Sequence, residues 1–366
     1  MITNSGIIGK VTAFQGKNKL ISALNFKGKT MKKIIAILFT LIILGCEDNS
    51  NENTNQSLVF ISNEGNFGSS NGSISVFQGK SKIQEIKNVG DVVQSILVHD
   101  EKLIAIANNS HLIKIYQITK QGLRLPGIKV STQSSSPREM VVQDNKLYFT
   151  NHNTQDIKIL NLTTYFIEDA IKVDGLPESI VSDGKNLWVA INMNEDWSSA
   201  TSVQKINIAS KTIIKTFEVG KGPQQLLIDE DFLWISRTYY NDNFTKTFFG
   251  TSQINMITGE VKILEYGKGS VCGGDLFKTD GLVYRTYNGG VAPLNAALMI
   301  EPLGKIGSYN SNNLYSANGT NEKIFLGITS DYQEPDTVFV HNNFGELEYE
   351  YIVGASPGDY AVWTIN

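Results

Sequence analysis

The sequence predicts an all-β chain folded as a seven-bladed β-propeller with four-stranded blades, its ring closed by pairing of the C-terminal strand with the N-terminal blade. Three observations carry this expectation. A proline, or a residue standing in for it, recurs every 40 to 49 residues, ten positions before an apolar strand start. A polar turn lies between the two in each copy. The last copy is incomplete, and the strands it lacks are present upstream. A fixed period of this size is the mark of a repeat architecture, and its length suits a four-stranded blade.

The copies run in order. Val93 precedes Leu103 (LIAIA), Pro137 precedes Leu147 (LYFTN), Pro177 precedes Leu187 (LWVAI) and Pro223 precedes Leu233 (LWISR). Between them lie QSILVHDE, EMVVQDNK, ESIVSDGK and QQLLIDED, each reading as two strands around a tight turn. Two weaker copies put Cys272 before Leu282 (LVYRT) and Leu314 before Ile324 (IFLGI). Pro357 opens a seventh that supplies one strand, DYAVWTI. The missing strands read as LVFISNE from Leu58, then SISVFQG and KIQEIKNVG. Closing the ring in this way protects both terminal sheet edges. No sustained helical periodicity separates the strands, which excludes a TIM barrel.

The region before the propeller divides into three. Residues 1–30 are polar and basic and read as an upstream extension absent from the working protein. Residues 31–45 open with Met31-Lys32-Lys33 and continue into an apolar run too short for a comfortable membrane span. Residues 46–56 are polar and acidic without periodicity, hence a flexible tether. The propeller is assigned to 57–366. The chain of 366 residues carries a net charge of −4 and no basic stripe, which argues against nucleic-acid partners. A closed ring has no edge that demands a partner, so a monomer is expected.

Catalytic arrangements are missing from the sequence. His99, His111, His152 and His341 lack metal-ligand spacing, and neither a nucleophile elbow nor a phosphate-binding glycine loop is present. No catalytic residue, metal or cofactor is therefore assigned. Asp144, Asp183, Asp229 and Asp280 recur at blade turns, where Asp bonds nearby amides. Asn108, Asn151 and Asn192 end the second strand of successive copies, a recurrence that points to a structural need or to ligand contact. The loops after the second strands vary in length and should share one face, where repeat proteins place their binding surfaces. They carry Asn153, Trp197, Tyr239, Tyr240, Phe244, Phe248, Tyr287 and Tyr332. Such aromatics either offer a broad contact surface with polar handles or fold back onto their own blade; for Phe248 and Phe249 the second reading is preferred. Arg237 and Arg285 hold matching places after second strands, and Arg138 follows its anchor proline. Three guanidinium groups around one mouth would grip a phosphate or carboxylate, or they pair with Asp and Glu.

Several segments resemble known families. LYFTNHNTQDIKILNLTTYFIEDAIKVDGLPESIVSDGKNLWVA, with Leu147-Tyr148-Phe149-Thr150-Asn151, resembles the propeller family named for its Tyr-Val-Thr-Asn motif, and VGKGPQQLLIDED resembles that family's connector. Ile43-Leu44-Gly45-Cys46 resembles a bacterial lipobox, which implies cleavage before Cys46 and its lipidation; Cys272 is then left without a disulfide partner. The acidic run behind Cys46 resembles surface-export signals. Phe60-Ile61-Ser62-Asn63-Glu64-Gly65-Asn66-Phe67-Gly68 looks like the first blade of lipoprotein propellers that accompany TonB-dependent outer-membrane transporters, among them surface cobalamin-binding lipoproteins. That resemblance implies a lipid-anchored outer-membrane protein that binds a small molecule, cobalamin or a related corrinoid, and passes it to a transporter. It adds Asn66 and Phe67 to the candidate ligand contacts. A protein- or polysaccharide-binding scaffold and a propeller lyase remain as alternatives.

Overall fold

The computed structural model describes residues 57–269, 274–320 and 322–364. The expectations placed on residues 1–56, Cys46 included, and on Cys272 lie outside those residues. Seven antiparallel sheets follow one another around a ring. Blade 1 runs from the inside outward as Pro357–Thr364, Ser57–Asn63, Gly72–Gln78 and Ser81–Gly90. The C-terminal strand pairs with the N-terminal one over its length, Leu58 opposite Trp363 and Phe60 opposite Ala361. Val93, Pro137, Pro223 and Leu314 open the inner strands of blades 2, 3, 5 and 7, and Pro177 is the second residue of that of blade 4. In blade 6 three strands, Leu276–Thr279, Leu282–Tyr287 and Gly290–Pro293, are followed by a segment that bridges Ile306 to Val291 in the outer place.

The reason for the ring is that both faces of each sheet must be covered. Side chains alternate between faces along a strand. In blade 1, Leu58 and Phe60 pack with Val93, Ile96, Leu103 and Ala105 of blade 2, while Val59 and Ile61 pack with Phe325, Val338 and Val340 of blade 7. The same division recurs at every boundary, so each blade is cemented to two neighbours. This explains why second strands such as LIAIA are apolar throughout rather than alternating. Two of the turns into those strands have the backbone of type I′: Asp144 and Asn145 have φ of 51° and 57°, Asp280 and Gly281 of 47° and 73°. Asp183 accepts from the amides of Lys185 and Asn186 at 3.0 and 2.7 Å, as a turn-making Asp should.

Polar bonds stitch neighbouring inner strands around the axis. The Asp359 carboxylate accepts from the Ile96 amide at 2.9 Å, Ser95 Oγ donates to the Arg138 carbonyl at 3.0 Å, and Ser179 Oγ accepts from the Leu226 amide at 3.2 Å. Asp275 accepts from the Ala317 amide at 2.7 Å and Ser316 Oγ donates to the Pro357 carbonyl at 2.5 Å, which returns the circuit to blade 1. The recurring Asn108 and Asn192 serve the same end: their Nδ2 groups donate to the carbonyls of Pro137 and Pro223 on the following blade, at 2.8 and 3.1 Å. Asn151 instead bonds within its own blade, to the carbonyl of Phe149 and the carboxylate of Asp156.

Candidate functional site

Antiparallel pairing sets the start of each inner strand beside the end of the second strand, Pro137 opposite Asn151 and Pro223 opposite Arg237. The anchors and the loops after second strands therefore share one face, called here the loop face. Two cavities open on it. They differ in chemistry.

The first is the mouth of the axial channel, about 270 Å³, formed mainly by residues one to three places after the anchors. Glu139 and Asp275 line it together with Glu64 and Glu178, and Asp359 stands close enough to act on Glu139. Glu64 comes from the blade 1 loop and fits over Gly358, where a Cβ would stand 2.9 Å from its carboxylate. Arg138 clamps Glu178: Nε donates at 3.1 and 3.0 Å and Nη2 at 2.6 Å, while Nη1 donates to Gln94 at 2.8 Å. His152 Nε2 lies 3.1 Å from the other Glu178 oxygen. Burial opposes ionisation of Glu178, but Arg138 and His152 outweigh it and hold its pKa down to about 2. The remaining carboxylates have no such partner. Burial pushes Glu64 and Asp275 up to about 7 and Asp359 to about 6, and raises Glu139 through burial and then repulsion from Asp359 and Glu178.

These shifts predict how stability depends on pH. Glu64, Asp275 and Asp359 hold protons more tightly folded than unfolded, so their contribution is complete below about pH 4 and is lost as pH rises through 7. Glu178 has the opposite sign, contributing above 4.5 and losing that contribution as pH falls toward 2. Since one pKa unit corresponds to about 1.4 kcal/mol, the unfolding free energy should be greatest near pH 4–5 and about 2–4 kcal/mol lower at pH 8 once mutual coupling is allowed for. Thermal melts across that range measure it. A melting temperature that climbs steadily from pH 5 to 8 contradicts the assignment.

The second cavity is a cleft of about 690 Å³ above blades 5, 6 and 7. Tyr240 and Thr247 come from the long blade 5 loop, Tyr287, Asn288 and Gly289 from blade 6, and Tyr332 from blade 7. Phe249, Lys268 and Arg285 complete its floor and one wall, and Ser311 and Asn312 the other. Among the described residues, the boundary between blades 5 and 6 has Trp234, Val283, Leu294 and Leu298 as its buried centre. No group of three or more His, Cys, Asp or Glu suited to a metal ion occurs among the described residues.

The structure distributes the candidate residues unevenly. Tyr240, Arg285, Tyr287 and Tyr332 meet in the cleft. Asn66 stands at its edge, its Nδ2 donating to the Tyr332 carbonyl at 2.6 Å. Phe67 and Trp197 are exposed but do not line it, and Asn153 is occupied with the Ser134 carbonyl at 3.1 Å. Arg237 leaves the candidate set. It is fully buried, bonded to Glu265 at 2.5 Å and to the Leu264 carbonyl at 3.0 Å, so its charge is already answered within blade 5. Tyr239 joins the same structural group, donating to Glu265 at 3.0 Å and stacking on Phe248. The expectation of three guanidinium groups at one mouth thus gives way to three separate settings: Arg138 in the channel, Arg237 in the blade, Arg285 in the cleft.

Sequence reasoning passed over Lys268, Asn288 and Asn312, which nothing in the repeat distinguishes. It also passed over the channel carboxylates, although Glu139, Glu178 and Asp359 fall one or two places after their anchors and could have been read from the repeat. His152, one of four scattered histidines in the sequence, proves to be the neighbour of Glu178.

Comparison with known proteins agrees with the fold and goes no further. No protein-family model matches the chain, and no curated protein does. Among solved structures, a Bacteroides uniformis protein named as a candidate 6-phosphogluconolactonase is 13% identical, with a TM-score of 0.59 over 84% of this chain and 100% of its own. A similarly named Bacteroides fragilis protein is 11% identical, TM-score 0.57, covering 85% of this chain and 99% of its own. Apo AztD from Citrobacter koseri is 10% identical, TM-score 0.53, covering 84% and 98%. The chain is a seven-bladed propeller. At these identities the likeness extends to the fold alone.

Proposed function

We propose that this propeller is a non-enzymatic capture protein that holds a small molecule in the cleft of its loop face. The observation that carries the reading is the meeting of Tyr240, Tyr287 and Tyr332 from three different blades around one opening of about 690 Å³. That volume falls within the usual range of ligand sites, and tyrosines supply broad contact with a polar tip. The resemblance of Phe60 to Gly68 to corrinoid-binding lipoprotein propellers makes cobalamin or a related corrinoid the proposed ligand. In this reading the chain is anchored through Cys46 to the outer membrane, faces outward, and serves a TonB-dependent transporter. Calorimetric titration with cyanocobalamin and other corrinoids tests it. Micromolar or tighter binding is expected, weakened at least about tenfold in Tyr240→Ala/Tyr287→Ala, since paired aromatic anchors commonly carry more than 1.4 kcal/mol between them. Absence of heat at micromolar protein would leave the interaction-scaffold alternative.

One observation favours a second reading, catalysis at the channel mouth: His152 and Glu178 stand 3.1 Å apart beside carboxylates whose pKa values approach neutrality. Against it, Glu178 is clamped by Arg138 and its pKa is held to about 2, which makes it too weak a base to take a proton.

A further inference from the structure

Arg285 is 1% exposed, yet every group it bonds is neutral, and Asp275 acts on it only from beyond ion-pair distance. Nη1 donates to the Gly250 carbonyl at 2.5 Å and to Thr251 Oγ1 at 2.7 Å, and Nε to the Thr286 carbonyl at 3.3 Å. Its guanidinium carbon lies 5.0 and 5.1 Å from the ring centres of Phe249 and Tyr266. Among the described residues no carboxylate comes within ion-pair distance of it, whereas Arg138 and Arg237 each have one. Burying a cation without a counterion is costly. Burial lowers its pKa only to about 10, so the group remains charged at neutral pH. The chain bears this cost in the lining of the cleft above blades 5 to 7.

The rest of the cleft has the same sign. Lys268, exposed on its wall, forms no ion pair among the described residues, and no Asp or Glu lines the opening. The channel mouth on the same face is lined by Glu64, Glu139, Glu178 and Asp275. A protein of net charge −4 has thus kept acids out of one cavity while crowding them into the other.

We infer that the cleft contains an anion subsite: a phosphate or carboxylate of a ring-bearing ligand seats between Arg285 and Lys268, with the ring against Tyr240, Tyr287 and Tyr332. The anion supplies the counter-charge that Arg285 lacks, in surroundings where water screens the pair poorly. Asn288, Ser311 and Asn312 offer neutral donors elsewhere in the lining. The inference deepens the capture reading and rests on the cleft being the capture site.

The full chain is titrated by NMR or calorimetry with phenyl phosphate, benzoate and neutral benzyl alcohol, all carrying one ring. At least one anion should bind roughly tenfold more tightly than the alcohol, a difference that shrinks as salt rises; the tighter of the two identifies the anion. Lys268→Glu, a change at an exposed position, should weaken the anion roughly tenfold and leave the alcohol unaffected. Arg285→Gln, judged only where its melt matches the parent, should do the same. Equal affinities for the three probes, or anion binding indifferent to Lys268→Glu, overturns the subsite. Cyanocobalamin that binds but is not displaced by phenyl phosphate also defeats the subsite and spares the capture reading. Anion binding without corrinoid binding supports the subsite and defeats the corrinoid.

Discussion

Removal of residues 357–366 should leave no cooperatively folded protein. The lost segment is the inner strand of blade 1, paired with the N-terminal strand from Ser57 opposite Thr364 to Ser62 opposite Asp359. Two of the seven blade boundaries depend on it. Tyr360 is buried against Phe325 on the blade 7 side, and Ala361 and Trp363 pack on the cluster shared with blade 2. The axial circuit opens at two neighbouring points, Asp359 to Ile96 and Ser316 to Pro357. Burial of each large side chain is worth about 1.5–3 kcal/mol, and the cut also bares the Ser57–Asn63 strand as an unpaired edge. The sum reaches the roughly 5–15 kcal/mol that separates a folded domain from its unfolded ensemble. Near-UV circular dichroism and thermal melting decide the matter. The ring argument fails if the truncated chain melts cooperatively within a few degrees of the parent. Recovery of the transition on adding the 357–366 peptide in trans would locate the defect in the missing strand.

The closure can be read in the sequence because it rests on counting: an anchor with one strand after it at one end, three strands without an anchor at the other. Periodicity is a one-dimensional signal, and the inner-strand starts at Val93, Pro137, Pro223, Leu314 and Pro357 follow from it directly. The fates of the arginines do not. Arg237 and Arg285 read as matching positions, but they stand four and three residues after Leu233 and Leu282, inside their second strands, and so leave opposite faces of their sheets. On the outer strand of blade 5 Glu265 reaches Arg237 across 28 residues of chain, whereas Asp275 acts on Arg285 only from beyond ion-pair distance. A side chain's counterion is a property of tertiary neighbours, which a single sequence does not align. The same holds for His152, whose partner Glu178 belongs to the next blade. The cleft was legible in part, since Tyr240, Tyr287 and Tyr332 come from loops whose lengths break the repeat. Lys268 ends a regular outer strand and carries no such mark.

The proposed subsite makes the two cavities differ in charge. At the axis Arg138 is answered by Glu178 and the raised pKa values of Glu64 and Asp275 leave little net charge near neutral pH, whereas Lys268 and Arg285 keep the cleft positive. Burial favours the protonated form of the other acids of the channel mouth, which makes the Arg138–Glu178 pair the fixed point of that site.

That pair supplies the second large effect. Arg138→Gln should destabilise the protein by about 3–5 kcal/mol at pH 7, the usual result of removing one partner from a buried ion pair. The Glu178 side chain is 7% exposed and would keep only His152 and a long contact with Gln94 at 3.5 Å. Losing the guanidinium also removes the nearest positive charge acting on Glu64 and Glu139, so these carboxylates become harder still to ionise. In the variant Glu178 shifts from a depressed to a raised pKa, and the sign of its linkage reverses: the deficit should be largest above neutrality and fade as pH falls below the ordinary carboxylate range. Chemical denaturation at pH 7.5 and 4.5 measures both numbers. The double variant Arg138→Gln/Glu178→Gln removes the stranded charge along with its partner and should recover most of the loss, a coupling that a double-mutant cycle reports directly. A double variant no more stable than Arg138→Gln would mean that the arginine acts through packing rather than charge, and the electrostatic account of the channel mouth would have to be abandoned.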